Sequence, residues 1–276
     1  MGQVQIGKSR RVKSARSTRR STVDPFGIDV ALRERMKPFL RLLYNYYWRV
    51  EVEGIENIPT SGPVLLAANH SGTLPFDAAM IAMAVEDQHP AHRMVRMLYA
   101  KFVTNMPTIG QFYNRLGAVQ ASTANGLTLL KRGEIVGIFP EGEEAMGKPY
   151  HQAYCLRPFR TGVAHMSARV QAPIVPVAVV GAEETSRPLF RIAQLPSFMK
   201  VPFIPVPTLA PLLGPLGLIP LPTKWKIRFG TPLDPVRPYP RSAKDAVMNE
   251  RAEYVRLEVQ RLLDRTRLNR TSVLFG

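Results

Sequence analysis

The stretch Val64-Leu65-Leu66-Ala67-Ala68-Asn69-His70-Ser71-Gly72-Thr73-Leu74-Pro75-Phe76-Asp77 reads as a short apolar strand, a polar turn and the start of a helix. Pro59-Thr60-Ser61-Gly62-Pro63 turns the chain into that strand. The same alternation continues downstream. Asp77–Val85 has helical character, Met94–Ala100 reads as a strand, Pro107–Leu116 as a short helix and Ala118–Ala121 as a strand. Ser122 or Thr123 can cap a helix through Arg132, which Gly133 stops. Ile135–Phe139 is a strand, Arg160–Val170 a helix and Ile174–Val180 a wholly apolar strand. Lys224–Phe229 alternates as an edge strand does, and Ser242 caps a charged helix to about Asp264. Strands alternating with helices of about ten residues predict an α/β fold, a largely parallel sheet flanked by helices.

Composition bounds the chemistry. The chain has 276 residues, is 45% apolar, and sets 37 Lys+Arg against 21 Asp+Glu for a net charge of +16. That apolar fraction excludes bulk disorder, and the length suits one large α/β domain or two small ones. The single cysteine, Cys155, excludes an internal disulfide framework and a Cys-based zinc site. The positive excess will seek nucleic acid, anionic lipid head groups or phosphorylated small molecules.

The charge is concentrated at the start. Lys8, Arg10, Arg11, Lys13, Arg16, Arg19 and Arg20 precede the first acid, Asp24, so residues 1–27 read as a disordered basic arm. No apolar stretch follows that would make it a secretory signal, and Ile6 stands where a myristoylation motif needs Ser or Thr. Residues 1–23 are either a solvated tail or a tether to anionic lipid head groups, at about 1 kcal/mol per cation near the surface. Nucleic acid is the weaker partner, because no aromatic residue interleaves the cations.

Residues 28–50 show helical spacing at Ile28, Leu32, Met36, Phe39, Leu40, Leu43, Tyr46 and Tyr47, with a kink expected at Pro38. They form either an amphipathic helix lying in a membrane interface or one packed on its own core. Val201–Thr223 carries no charge but contains Pro202, Pro205, Pro207, Pro211, Pro215, Pro220 and Pro222. Each would cost a helix about 3 kcal/mol, which excludes a transmembrane helix and leaves an extended, Leu-rich loop suited to membrane lipid.

The candidate chemistry sits at strand ends, where open α/β sheets bind ligands. His70 follows the first strand and Asp77 opens the next helix. Such a pair can deprotonate a hydroxyl, the carboxylate holding the imidazole tautomer. No serine stands in a G-x-S-x-G elbow, so the hydroxyl activated is more naturally the substrate's. A second strand end gives Phe139-Pro140-Glu141-Gly142, and Pro176 interrupts a strand that should be unbroken, which calls for a bulge at the site. His89 and His92, beside Pro90, read as surface residues rather than metal ligands.

Four ordered blocks resemble the glycerolipid acyltransferases of the 1-acylglycerol-3-phosphate acyltransferase family: Asn69-His70…Asp77; Lys101…Pro107…Gly110…Gly117; Phe139-Pro140-Glu141-Gly142; and Ile174-Val175-Pro176-Val177. The resemblance spans roughly residues 35–235. It implies an acyltransferase domain over residues 51–240, including the loop 201–223, followed by a charged helix and tail at 241–276. It implies acyl transfer from a thioester, acyl-CoA or acyl-carrier protein, to a glycerolipid hydroxyl, with no metal and no cofactor beyond that co-substrate. His70 would be the general base and Asp77 its orienting acid. Glu141 and Gly142 would seat the acceptor, and Pro176 would shape the acyl-donor side.

The chain departs from the family pattern in three places. Six residues separate His70 from Asp77 where the family has four, with Gly72 and Pro75 available to absorb the difference. Ala121 and Ser122 stand where the second block normally ends in Arg, and Glu143-Glu144 replace the usual Thr-Arg after Gly142. A phosphorylated acceptor would then need Lys101, Arg115, Lys148, Arg157 or Arg160, with Arg115 the first choice. The acceptor is lysophosphatidic acid or a neutral acylglycerol, and the expected location is cytoplasmic, peripheral on the inner face of the cell membrane. The competing readings are a non-catalytic lipid-binding protein on the same fold and a basic nucleic-acid-binding protein.

Overall fold

A computed structural model describes residues 24–70, 75–106, 108–148, 150–185, 188–192, 204–207, 210–236 and 245–275. The arm at 1–23, the turn residue Gly72 and the cap Ser242 lie outside them. The strands are β1 (Glu51–Glu53), β2 (Val64–Ala68), β3 (Val95–Tyr99), β4 (Val119–Gln120), β5 (Ile135–Ile138), β6 (Ile174–Val180), β7 (Pro188–Ile192), β8 (Ile204–Pro207) and β9 (Lys226–Phe229). The helices are α1 (Val30–Leu42), α2 (Phe76–Gln88), α3 (Ile109–Arg115), α4 (Thr123–Lys131), α5 (Gly162–Val170), α6 (Ala182–Thr185), α7 (Ala210–Leu213) and α8 (Asp245–Leu268). α8 thus extends a turn beyond the expected end at Asp264.

Seven strands form one sheet in the order β1-β9-β6-β2-β5-β3-β4. From β6 to β4 every pairing is parallel, and only β6 meets β9 antiparallel. The carboxyl ends of β2, β3, β5 and β6 therefore share one rim. β2 and β6 are buried along their whole length, as the uninterrupted apolar runs require. On one face Leu66, Val175 and Val177 pack with Met80 and Ile81 of α2. On the other, Leu65, Ala67 and Val136 pack with Leu129 of α4, Val163 of α5 and Val255 and Val259 of α8.

β9 is not an edge strand. β1 lies parallel beside it, with Glu51 opposite Lys226 and Glu53 opposite Arg228. The polar half of its alternation faces those acids: Lys224 pairs with Glu51 at 2.8 Å, and Arg228 pairs with Glu53. Pro176 also differs from expectation. β6 keeps an unbroken register with β2, Pro176 opposite Ala67. The irregularity falls on the segment after β9, which moves from Gly230 to Leu233 while β6 moves from Pro176 to Ile174. There the missing proline N–H interrupts nothing.

The first described residues are tied to the body, although residues 24–27 fall within the arm expected from composition. Arg96, almost fully buried, donates to Asp24 at 2.6 Å and to the Gly117 carbonyl, and lies over the Phe26 ring. α1 includes Pro38, continues to Leu42 and passes into a π-helical turn at Leu43–Tyr47. Trp48, which follows that turn, is 0% exposed and stacks on Trp225 at 4.6 Å. Phe39, Leu42 and Tyr46 are left exposed at helical spacing. The segment Val201–Thr223 is more structured than an extended loop: β8 pairs antiparallel with β7, and α7 leads into a short 3₁₀ turn at Gly214–Leu218. Leu212, Leu213, Leu216 and Ile219 are exposed there. No helix among the described residues is long and apolar enough to cross a membrane.

Trp48→Ala should destabilise the chain by about 3–5 kcal/mol. It removes the stack on Trp225 and the indole hydrogen bond to the Leu221 carbonyl. A urea-denaturation midpoint measures the loss.

Candidate active site

β2 delivers Asn69 and His70 to the shared rim. Asn69 is fully buried, and its amide pairs both ways with Val179, donating to the carbonyl at 3.0 Å and accepting from the N–H at 2.7 Å. That clamp locks the end of β2 to β6 and fixes where His70 leaves the sheet. The His70 ring stacks on Phe139, from the end of β5, with centroids 4.3 Å apart. Its Nδ1 lies 2.7 Å from Asp77 Oδ2, so the wider spacing in sequence still ends in contact. Asp77 sits in the first turn of α2 with its side chain 1% exposed, whereas that of His70 is 12% exposed. A buried carboxylate facing Nδ1 holds the proton there and leaves Nε2 as the acceptor.

Behind the ring stands a carboxylate hub. Glu141 Oε1 accepts from the His70 backbone N–H at 3.3 Å. Its Oε2 accepts from Lys148 Nζ at 3.0 Å and from the Arg157 N–H at 2.8 Å. Glu141 and Lys148 are both buried, and Glu183 lies 3.8 Å beyond the ammonium. Burial, the largest single influence on His70, acts to lower its pKa. The Asp77 charge and hydrogen bond, reinforced by the Glu141 charge, outweigh it, and the pKa is raised. Burial pushes Glu183 up to about 7, against the pull of Lys148.

The other candidates divide. Gly142 follows Glu141 at the same strand end, with φ +69°. Lys101 starts the 3₁₀ turn at the end of β3, exposed on the same rim. Arg115 does not stand free for an acceptor: its guanidinium pairs with Asp29 at 2.7 Å. Pro176 lies within the ladder beside Ala67, short of the rim. His89 is buried, not on the surface, and its Nε2 meets the Ile58 carbonyl at 2.9 Å. No metal-ligating cluster occurs among the described residues. Sequence reasoning assigned Lys148 only as a spare cation. Its pairing with Glu141 follows from a general signal, that a carboxylate at a buried strand end requires a counter-charge.

An imidazole oriented by a buried carboxylate at the carboxyl rim of a parallel sheet has the geometry that general-base chemistry requires. The comparisons make the class specific. The Acyltransferase family model matches residues 49–180. An uncharacterised protein of Mycobacterium tuberculosis is 39% identical over 258 residues, covering 92% of this chain and 72% of that protein. Human 1-acyl-sn-glycerol-3-phosphate acyltransferase alpha is 29% identical over 147 residues, 51% of this chain and 48% of that protein. The crystal structure of the 1-acyl-sn-glycerophosphate (LPA) acyltransferase PlsC from Thermotoga maritima shares the fold, with a TM-score of 0.54, 19% identity, and coverage of 87% of this chain and 81% of that one. The chain belongs to the glycerolipid acyltransferase family and is an acyltransferase.

Two expectations follow from the electrostatics. A base must be neutral, so activity should fall with acid as pH drops through a His70 pKa above 6.5. Asp77→Asn should move that limb to lower pH and cut kcat by roughly 10²–10⁴ in a pH–rate profile. Glu183 has a folded-state pKa of about 7 against an ordinary 4.5, so its protonated form stabilises the fold. That contribution is complete below 4.5 and is lost as pH rises through about 7. Glu183→Gln should flatten this part of a Tm-against-pH curve.

Proposed function

We propose that the enzyme moves a fatty acyl group from a thioester, acyl-CoA or acyl-carrier protein, to the free hydroxyl of a 1-acylglycerol-3-phosphate. The single observation that carries this reading is the 2.7 Å contact between His70 Nδ1 and buried Asp77, which leaves Nε2 as the ring's proton acceptor. The hydroxyl gives its proton to Nε2, and its oxygen attacks the thioester carbonyl carbon. The tetrahedral intermediate collapses with cleavage of the C–S bond, and the departing thiolate takes the proton back from the imidazolium. Ester and free thiol are the products. Asp77 stabilises the imidazolium, and Glu141, bonded to the His70 N–H, keeps the ring's backbone in place.

The reading includes peripheral attachment to the cytoplasmic face of the cell membrane. What supports it is the exposed apolar stripe of α1 together with the exposed leucines around α7, and the basic residues 1–23 for anionic head groups. A neutral acylglycerol acceptor is the second reading, favoured by the commitment of Arg115 to Asp29 and of Lys148 to Glu141.

The test assays thioester consumption and ester formation side by side on lysophosphatidic acid, monoacylglycerol and diacylglycerol. Wild type should favour lysophosphatidic acid, and His70→Ala should lose roughly 10²–10⁴ of kcat on it while keeping its melting temperature. Full activity in His70→Ala rules out the base.

A further inference from the structure

A phosphorylated acceptor approaching His70 meets an acidic rim. Asp77, Glu141 and Glu183 stand within the site, and Glu143 and Glu144 follow directly in the 3₁₀ turn Gly142–Gly147. A dianion needs a cation there. Lys148 is spent on Glu141, and Arg115 on Asp29. Arg157 reaches back to the Gln152 side chain at 2.5 Å.

Arg160 is placed differently. Its backbone N–H donates to the Pro140 carbonyl at 2.9 Å, fastening it to the turn that carries Glu141 and Gly142. Its guanidinium lies directly over Gly142: a Cβ on that residue would stand 2.7 Å from both Cζ and Nε. Gly142 has φ +69°, a backbone that favours glycine, and its bare Cα leaves the guanidinium room in this position. Arg160 therefore sits at a strand end, Phe139-Pro140-Glu141-Gly142, that carries no cation of its own. It is exposed, and none of the ion pairs among the described residues uses it.

Resting on the phosphorylated-acceptor reading above, we infer that Arg160 is the anion grip that holds the acceptor's phosphate, and that Gly142 is bare in order to seat its guanidinium. The planar fork suits bidentate contact with phosphate oxygens. Gly142 then contributes to acceptor recognition through the room it leaves rather than through a contact of its own.

The experiment uses the full chain and one thioester donor. It measures kcat and KM for lysophosphatidic acid and for monoacylglycerol, and equilibrium binding of each lipid. Arg160→Gln should raise KM for lysophosphatidic acid and weaken its binding by roughly ten- to hundredfold, the scale of a lost charge-assisted contact, while monoacylglycerol values hold. Arg160→Lys should recover part of the loss, having the charge but not the fork. Equal losses on both lipids, or no loss on either, overturn the grip. A wild type that prefers monoacylglycerol overturns the phosphorylated-acceptor reading itself and the grip with it. A wild type that prefers lysophosphatidic acid, with Arg160→Gln unaffected, overturns the grip alone. If turnover is undetectable, the binding measurement decides: selective retention of lysophosphatidic acid by wild type but not by Arg160→Gln supports the grip, and its absence overturns it.

Discussion

The Glu141 carboxylate is the constraint on which the site depends. It is buried, and it receives hydrogen bonds from three separate parts of the chain: the N–H of His70 after β2, the ammonium of Lys148, and the N–H of Arg157 before α5. A charge so placed is tolerable only when its lone pairs are filled, and removing one donor leaves the rest paying its desolvation. This makes the carboxylate a positioning device. It determines where the backbone under the imidazole lies, while Asp77 determines how the ring above it is turned. One acid governs location and the other orientation.

The fold was largely legible because its central strands leave no alternative. Val64–Ala68 and Ile174–Val180 are apolar throughout, and both occur with those limits in the middle of the sheet. Glu51-Val52-Glu53 was not legible. Three residues with acids at both ends carry no strand signal alone, and the pairing exists because Lys226 and Arg228 stand opposite. The same omission made β9 look like an edge. The burial of Trp48 was hidden for a related reason: helical spacing shows which residues share a face, but not that Trp225 waits behind this one. Pro176 called for an irregularity, and the irregularity was present on the neighbouring segment, where a single-strand reading has no view.

For the site, the strand-end rule located His70, Asp77, Glu141 and Gly142, because chain direction alone sends successive parallel strands to one rim. The cations could not be sorted in that way. Lys148, Arg115 and Arg160 differ little as sequence. What separates them is partnership, since one is locked to a buried acid, one to the cap of α1 and one lies over a glycine. Partnership depends on contacts between distant residues, here α1 with α3 and β5 with the loop before α5.

Three consecutive residues at the close of the π-helical turn after α1 are bonded to three consecutive carbonyls. The Tyr47 hydroxyl donates to Pro220, the Trp48 indole to Leu221, and Arg49 to Pro222. The greasy stripe of the first helix and the leucine-bearing segment ahead of Pro220 are thereby riveted together like two halves of one keel. Neither half can tilt without dragging the other. The two exposed apolar segments are thereby set at one angle to each other and to the sheet that carries His70.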